Sequence, residues 1–138
     1  MLPAPQENTH MLSERFSRLI KSSPQIADSL RRVADHFGDI EAREGGRVYD
    51  VVMETSRLYD ISQAGSSARF AKLLALLLDE SILKRRYIIR SPLGPEIMEV
   101  DSWYNCPKSV YDPLRGMEME VSDEDLATIL NVVNNGCH

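Results

Sequence analysis

Cysteine is scarce in this chain: Cys106 and Cys137 are the only two in 138 residues, and their placement builds no disulfide framework. A reducing compartment, the cytoplasm, is the home this suggests. No apolar run approaches the roughly 20 residues a membrane span needs, and the opening MLPAPQENTH has neither the charged start nor the apolar stretch of a secretion signal. A membrane partner is therefore not expected. Metal-ligand spacing is missing as well. Cys106, Cys137, His10, His36 and His138 form no CxxC or HxxxH pair, and Cys106 has no histidine nearby to activate it as a nucleophile. Gly45-Gly46 is not followed by the Lys-Ser/Thr of a phosphate cradle. These absences predict no catalytic residue, no metal, no cofactor and no small-molecule substrate.

What remains is an ordinary globular composition. The apolar share, 43%, and the length are enough for one compact domain with a real core. The chain is organised around the stretch from Ser66 to Val100. Ser66 and Ser67 offer N-cap hydroxyls, and Phe70, Leu73, Leu74 and Leu77 follow the spacing of a buried helical face, which predicts a helix over about 68–80. Leu76 and Leu78 widen the apolar arc, so this helix should be covered on more than one side. From Leu83 to Ser91 the residues turn β-branched and aromatic, Tyr87, Ile88 and Ile89 among them, and predict a strand. Pro92, Gly94 and Pro95 break it, and Glu96 to Val100 suits the returning strand of a hairpin.

Before this unit, residues 1–8 read as a disordered leader and residues 9–62 as a segment of three helices. Leu12, Phe16, Leu19 and Ile20 mark the first, over about 9–22. Ser23-Pro24 starts the second, which runs along Ile26, Leu30, Val33, Ala34 and Phe37 to a stop at Gly38. Val48, Val51, Val52, Thr55, Leu58 and Tyr59 predict the third, over about 47–60. The link Ile61 to Gly65 is longer than the turn of a strict helix-turn-helix. After the hairpin, residues 101–116 read as an ordered loop pinned by Trp103 and Tyr104, and MEMEV at 117–121 as a strand. Ser122 with Asp123, Glu124 and Asp125 signals a helix start. The run Leu126 to Val133 could then continue as a short helix or turn into a closing strand, and the helix is the favoured reading. The fold class is α+β: a mainly helical N-terminal half, then a winged-helix-like unit over 63–138 with a small C-terminal strand and helix.

Charge is uneven although the net is only −5. Residues 66–90 hold six basic and two acidic groups, whereas residues 91–138 hold two basic and nine acidic ones. Arg69 and Lys72 on the helix, with Lys84, Arg85, Arg86 and Arg90 on the strand, are the candidate contact residues for a protein or nucleic-acid partner. The competing reading is a charged strand edge that discourages aggregation. Glu118, Glu120, Asp123, Glu124 and Asp125 read as solvated charge, with a basic partner as the other option. Tyr49, Tyr59, Trp103, Tyr104 and Tyr111 read as core and rim aromatics, since none interleaves with the basic run.

Ala68, Leu73, Leu74 and Leu77, then Ile82-Leu83, the strand YIIRSP from Tyr87 to Pro92, and the later Pro107, Val110-Tyr111-Asp112-Pro113, Gly116, Glu118, Glu120-Val121 and Asp125 carry a resemblance. In these residues, about half the chain, it is similar to winged-helix accessory domains of small bacterial proteins, some encoded beside anti-phage or other effector systems. The shared motifs are structural. Related sequences place a zinc-binding cysteine pair near the hairpin, and this chain has none there. With no catalytic signature in the chain, the preferred reading is a non-enzymatic adaptor or regulatory protein that works by protein–protein interaction, self-association included. A winged-helix DNA-binding regulator, dimeric through its N-terminal helices, is the alternative.

Overall fold

The computed structural model describes residues 4–134, with side chains from Leu12 onward. The expected leader thus falls partly on residues 1–3, outside the described residues, as do Cys137, His138 and the side chain of His10. Among the described residues the chain is α+β, with four α-helices concentrated in the N-terminal half and a strand-rich C-terminal half. It divides into two units: the chain up to Lys84 with the residues from Asn131, and Arg85–Leu130.

In the first unit α1 spans Ala4–Ser22, and α2 spans Ala27–Glu44 after a single 3-10 turn at Pro24–Ile26. α1 is already helical at Ala4, the first described residue, ahead of the start expected at Thr9. The two helices face each other with Phe16 and Phe37 at 6.1 Å between ring centres, and Leu12, Leu19, Leu30 and Val33 are buried with them. Fully burying one such side chain contributes about 1.5–3 kcal/mol. Gly38 does not stop α2. An interior glycine costs only about 1 kcal/mol, and the helix runs on to Gly45, which takes the positive φ of 61° at the cap.

The third expected helix is corrected in its first half. Residues Gly45–Asp50 form a 3-10 helix, Val52–Glu54 form strand β1, and only Thr55–Ser62 is helical, as α3. The valines at 48, 51 and 52 are stiff, β-branched residues that give up little by leaving a helix. Here the Val51 carbonyl gains the amide of Val132 at 3.2 Å and the side-chain amide of Asn131 at 3.3 Å. The link between α3 and α4 (Ser67–Asp79) is Gln63–Ser66, four residues rather than the longer connection expected. Gln63 adopts φ 48° and Gly65 φ 89°, which turns the chain sharply, and the Ser66 hydroxyl then accepts the Arg69 amide at 3.2 Å as the N-cap. Leu73 and Leu77 of α4 are fully buried, while Leu74, Leu76 and Leu78 are half-buried.

β2 (Leu83–Arg90) crosses from the first unit into the second, where it pairs antiparallel with β3 (Glu96–Val100), Tyr87 opposite Val100 and Ile89 opposite Met98. A bulge falls between Ile89 and Arg90. The other neighbour of β2 is β6 (Leu126–Val132), so the short C-terminal helix is corrected to a strand. The helix signal at Ser122–Asp125 is present as a capping box, but it yields one 3-10 turn only. Thr128, Ile129 and Val132 then favour the pleated state. A second hairpin, β4 (Ser109–Asp112) with β5 (Met117–Glu120), replaces part of the expected loop. Ile89, Val100, Val110 and Met119 form the buried cluster of this unit, with Tyr87, Ile97, Cys106, Val121 and Leu126 against it.

Candidate functional site

The six basic candidates are divided between the two units. Arg69 and Lys72 are exposed on α4, and Lys84 is exposed near the start of β2, all in the first unit. Arg85, Arg86 and Arg90 follow on β2 in the second. Because side chains alternate along a strand, the consecutive Arg85 and Arg86 project to opposite faces. Arg86 is also engaged within the hairpin. Its guanidinium meets Glu96 and Glu99 of β3, each at 2.9 Å, and these bonds, Glu99 first, raise its already high pKa. Two glutamates of the returning strand therefore neutralise part of the basic strand, which the charge count along the sequence could not reveal.

The tip of this hairpin carries no cation at all. Ser91, Pro92, Leu93, Gly94 and Pro95 form it, closed by the Ser91 amide on the Pro95 carbonyl at 2.9 Å, with Gly94 at φ 115°. Leu93 stands out of it at 64% exposure. Under the tip lies the most elaborate polar contact in the unit. Asp112, fully buried at the end of β4, accepts the Ser91 hydroxyl at 2.7 Å, the Arg115 Nε at 2.8 Å and the Leu114 amide at 2.9 Å. Burial pushes this carboxyl up, but the Ser91 and Arg115 hydrogen bonds and the backbone amides of Leu114 and Arg115 outweigh it, and the net pKa lies below the ordinary carboxylate value. Ser91 Oγ in turn accepts the Leu93 amide at 3.1 Å. The turns that follow β2 and β4 are thus held by one buried carboxylate.

Several apolar side chains stand exposed around that clamp. Besides Leu93, Leu114 is 51% exposed, and Tyr111 and Met117 are exposed to a similar degree. Trp103 packs edge-on against Tyr87 with centroids 5.0 Å apart, but the adjoining Tyr104 is 99% exposed and anchors nothing. Beside β5 runs a groove of about 650 Å³, lined by Arg90, Ser91, Pro92, Arg115, all four residues of β5, and Ser122, Glu124 and Asp125. Among the described residues no group of three or more His, Cys, Asp or Glu side chains has the arrangement to hold a metal ion. No helix there is long and apolar enough to cross a membrane. Cys106 sits half-buried against the apolar cluster.

The basic run drew attention in the sequence because like charges stand out, whereas Asp112 did not, since one aspartate before a proline reads as turn chemistry. Its signal was the pair Ser91-Pro92 and Asp112-Pro113: two short polar residues, each opening a proline turn. Comparison with family models, with curated proteins and with solved structures finds no match for this chain.

Proposed function

We propose that this chain is a non-enzymatic adaptor or regulatory protein of the cytoplasm, which binds another protein through the clamped turns of its second unit. The setting suggested by the winged-helix resemblance is a bacterial defence or effector system. One observation carries the reading: Asp112 fixes two turns at its own hydrogen-bonding positions, and the apolar residues next to those positions, Leu93 and Leu114, face solvent. A rigid, buried polar base beneath exposed leucines is costly to keep for a free surface and useful at an interface, where fixed anchors lose little entropy on binding. Photo-crosslinking from position 93 or 114 in cells, read by mass spectrometry, tests it. A discrete crosslinked partner is expected, lost in Leu114→Asp with crosslinking from 93 and in Leu93→Asp with crosslinking from 114, while the melting temperature holds. Crosslinks that ignore these substitutions refute the assignment.

A second reading, a DNA-binding regulator, draws on the first unit. The four-residue link between α3 and α4 has the length of a helix-turn-helix, and α4 exposes Arg69 and Lys72 with Ala68, Ala71 and Ala75 between and beyond them. This reading requires duplex affinity that falls steeply with salt and is lost on Arg69→Ala and Lys72→Ala. An absence of duplex binding at low salt eliminates it.

A further inference from the structure

The open edge of β5 offers a second kind of docking geometry. The Val121 amide donates to the Lys108 carbonyl at 2.8 Å, which makes 108 and 121 a hydrogen-bonded pair of the β4–β5 ladder. In an antiparallel ladder such pairs alternate with pairs that exchange no bonds. With Val110 opposite Met119 and Asp112 opposite Met117, those are the next bonded pairs. Glu118, opposite Tyr111, and Glu120, opposite Ser109, therefore turn their N–H and C=O groups away from β4. β4 is the only strand that pairs with β5 among the described residues. The groove of about 650 Å³ runs along all four residues of β5, and its walls also hold Glu124 and Asp125 together with Arg90 and Arg115, the latter bound to Asp112.

We propose that this edge accepts an extended, basic peptide segment of a partner protein as a third strand of the β4–β5 sheet. The proposal rests on the protein-binding reading above and gives it a partner chemistry. Main-chain bonds to Glu118 and Glu120 supply the register, and the partner's alternate residues, lysine or arginine, lie beside the two exposed glutamates, with Glu124 and Asp125 extending the acidic wall. Charge selects the occupant: four carboxylates in the groove outnumber its two guanidiniums, one of which Asp112 already neutralises. In registers that keep the faces aligned, a second copy of β5 would set glutamate against glutamate, so self-pairing is disfavoured while a basic strand is welcomed.

The test uses the full chain and a short peptide of alternating lysine and valine, with its glutamate-valine counterpart as control, followed by fluorescence anisotropy and amide hydrogen exchange. The lysine peptide is expected to bind at low salt and to slow exchange at the Glu118 and Glu120 amides. The Glu118→Lys/Glu120→Lys double variant should weaken it by about tenfold or more and admit the glutamate peptide instead. Glu120→Pro removes an outward N–H without touching a β4 bond, so it should reduce affinity at unchanged melting temperature. Absence of binding, equal binding of both peptides, or protection elsewhere than at 118 and 120 overturns the proposal. If that happens while crosslinking from 93 and 114 still meets a partner, the turn surface stands and the strand addition alone falls.

Discussion

Ser91 donates its hydroxyl to the Asp112 carboxylate across 2.7 Å, and both side chains are buried. The bond spans 21 residues of sequence and joins two turns that would otherwise be held by their own hairpins alone. Four donors directed at this buried carboxylate favour its anionic form against the cost of burial. Asp112→Asn keeps the shape but presents an N–H₂ where a donor already points, and it should lower stability more than Ser91→Ala, which leaves the Arg115 and amide bonds in place. Urea unfolding of the two variants and the parent checks that order.

The same aspartate sets an acid limit. Its folded pKa lies below the unfolded value of about 3.9, so the unfolded state binds the proton first as pH falls. The stabilisation is complete above the unfolded value and is lost as pH drops through the folded one. Between pH 5 and pH 3 the parent should lose more stability than Asp112→Asn does, because the variant has no proton to take up at this position. Equal acid slopes for the two proteins would show that the carboxylate does not carry this linkage.

His36, half-buried on α2, gives a second pH window of opposite chemistry. Burial lowers its pKa first, and the nearby Arg57 and Arg43 lower it further against the attraction of Asp39. Because the folded pKa falls below the unfolded value of about 6.5, the unfolded chain holds the extra proton between the two. Stability should therefore be fully present above about pH 6.5 and decline below it, until the folded pKa is reached. Residue-resolved NMR titration should place the His36 midpoint below that of an unstructured histidine, and His36→Gln should flatten the decline.

How far the sequence foretold this structure depends on whether the signal was local. The helix of Leu73 and Leu77, the hairpin of Tyr87 to Val100 and the strand at Met117 were legible, because apolar spacing and proline-glycine turns are written within a dozen residues. β1 and β6 were not. Val51 and Val132 lie 81 positions apart, and their mutual hydrogen bond is what tips stretches with mixed signals into strands. At the candidate site, the basic residues were visible but their neutralisation was not, since Glu96 and Glu99 meet Arg86 only once the register of the hairpin is fixed. The turn residues of the Asp112 clamp could be recognised individually, but their joining could not.

α4 should behave as the central element of the first unit. Leu77 is completely buried, whereas Leu78, one position on, is half-exposed. Leu77→Ala should cost about 2–5 kcal/mol, the transfer of its side chain plus the cavity left behind, and Leu78→Ala clearly less. Chemical denaturation with unchanged slope would attribute the loss to the folded state.

The pairing of Arg86 with Glu96 and Glu99 bears on whether the basic strand is a binding surface or a structural one. The glutamates are partly exposed, so each ion pair should contribute at most about 1 kcal/mol, and less as salt screens it. A double-mutant cycle between Arg86→Gln and Glu99→Gln should give a coupling of roughly 0.2–1 kcal/mol at low salt that shrinks in high salt. If the structural role dominates, Arg86→Gln lowers hairpin stability, while Arg85→Gln, on the opposite face of the same strand, leaves it unchanged. Should Arg85 alone affect binding of a partner, the contact surface lies on that face, and the cation beside it in the sequence serves the hairpin.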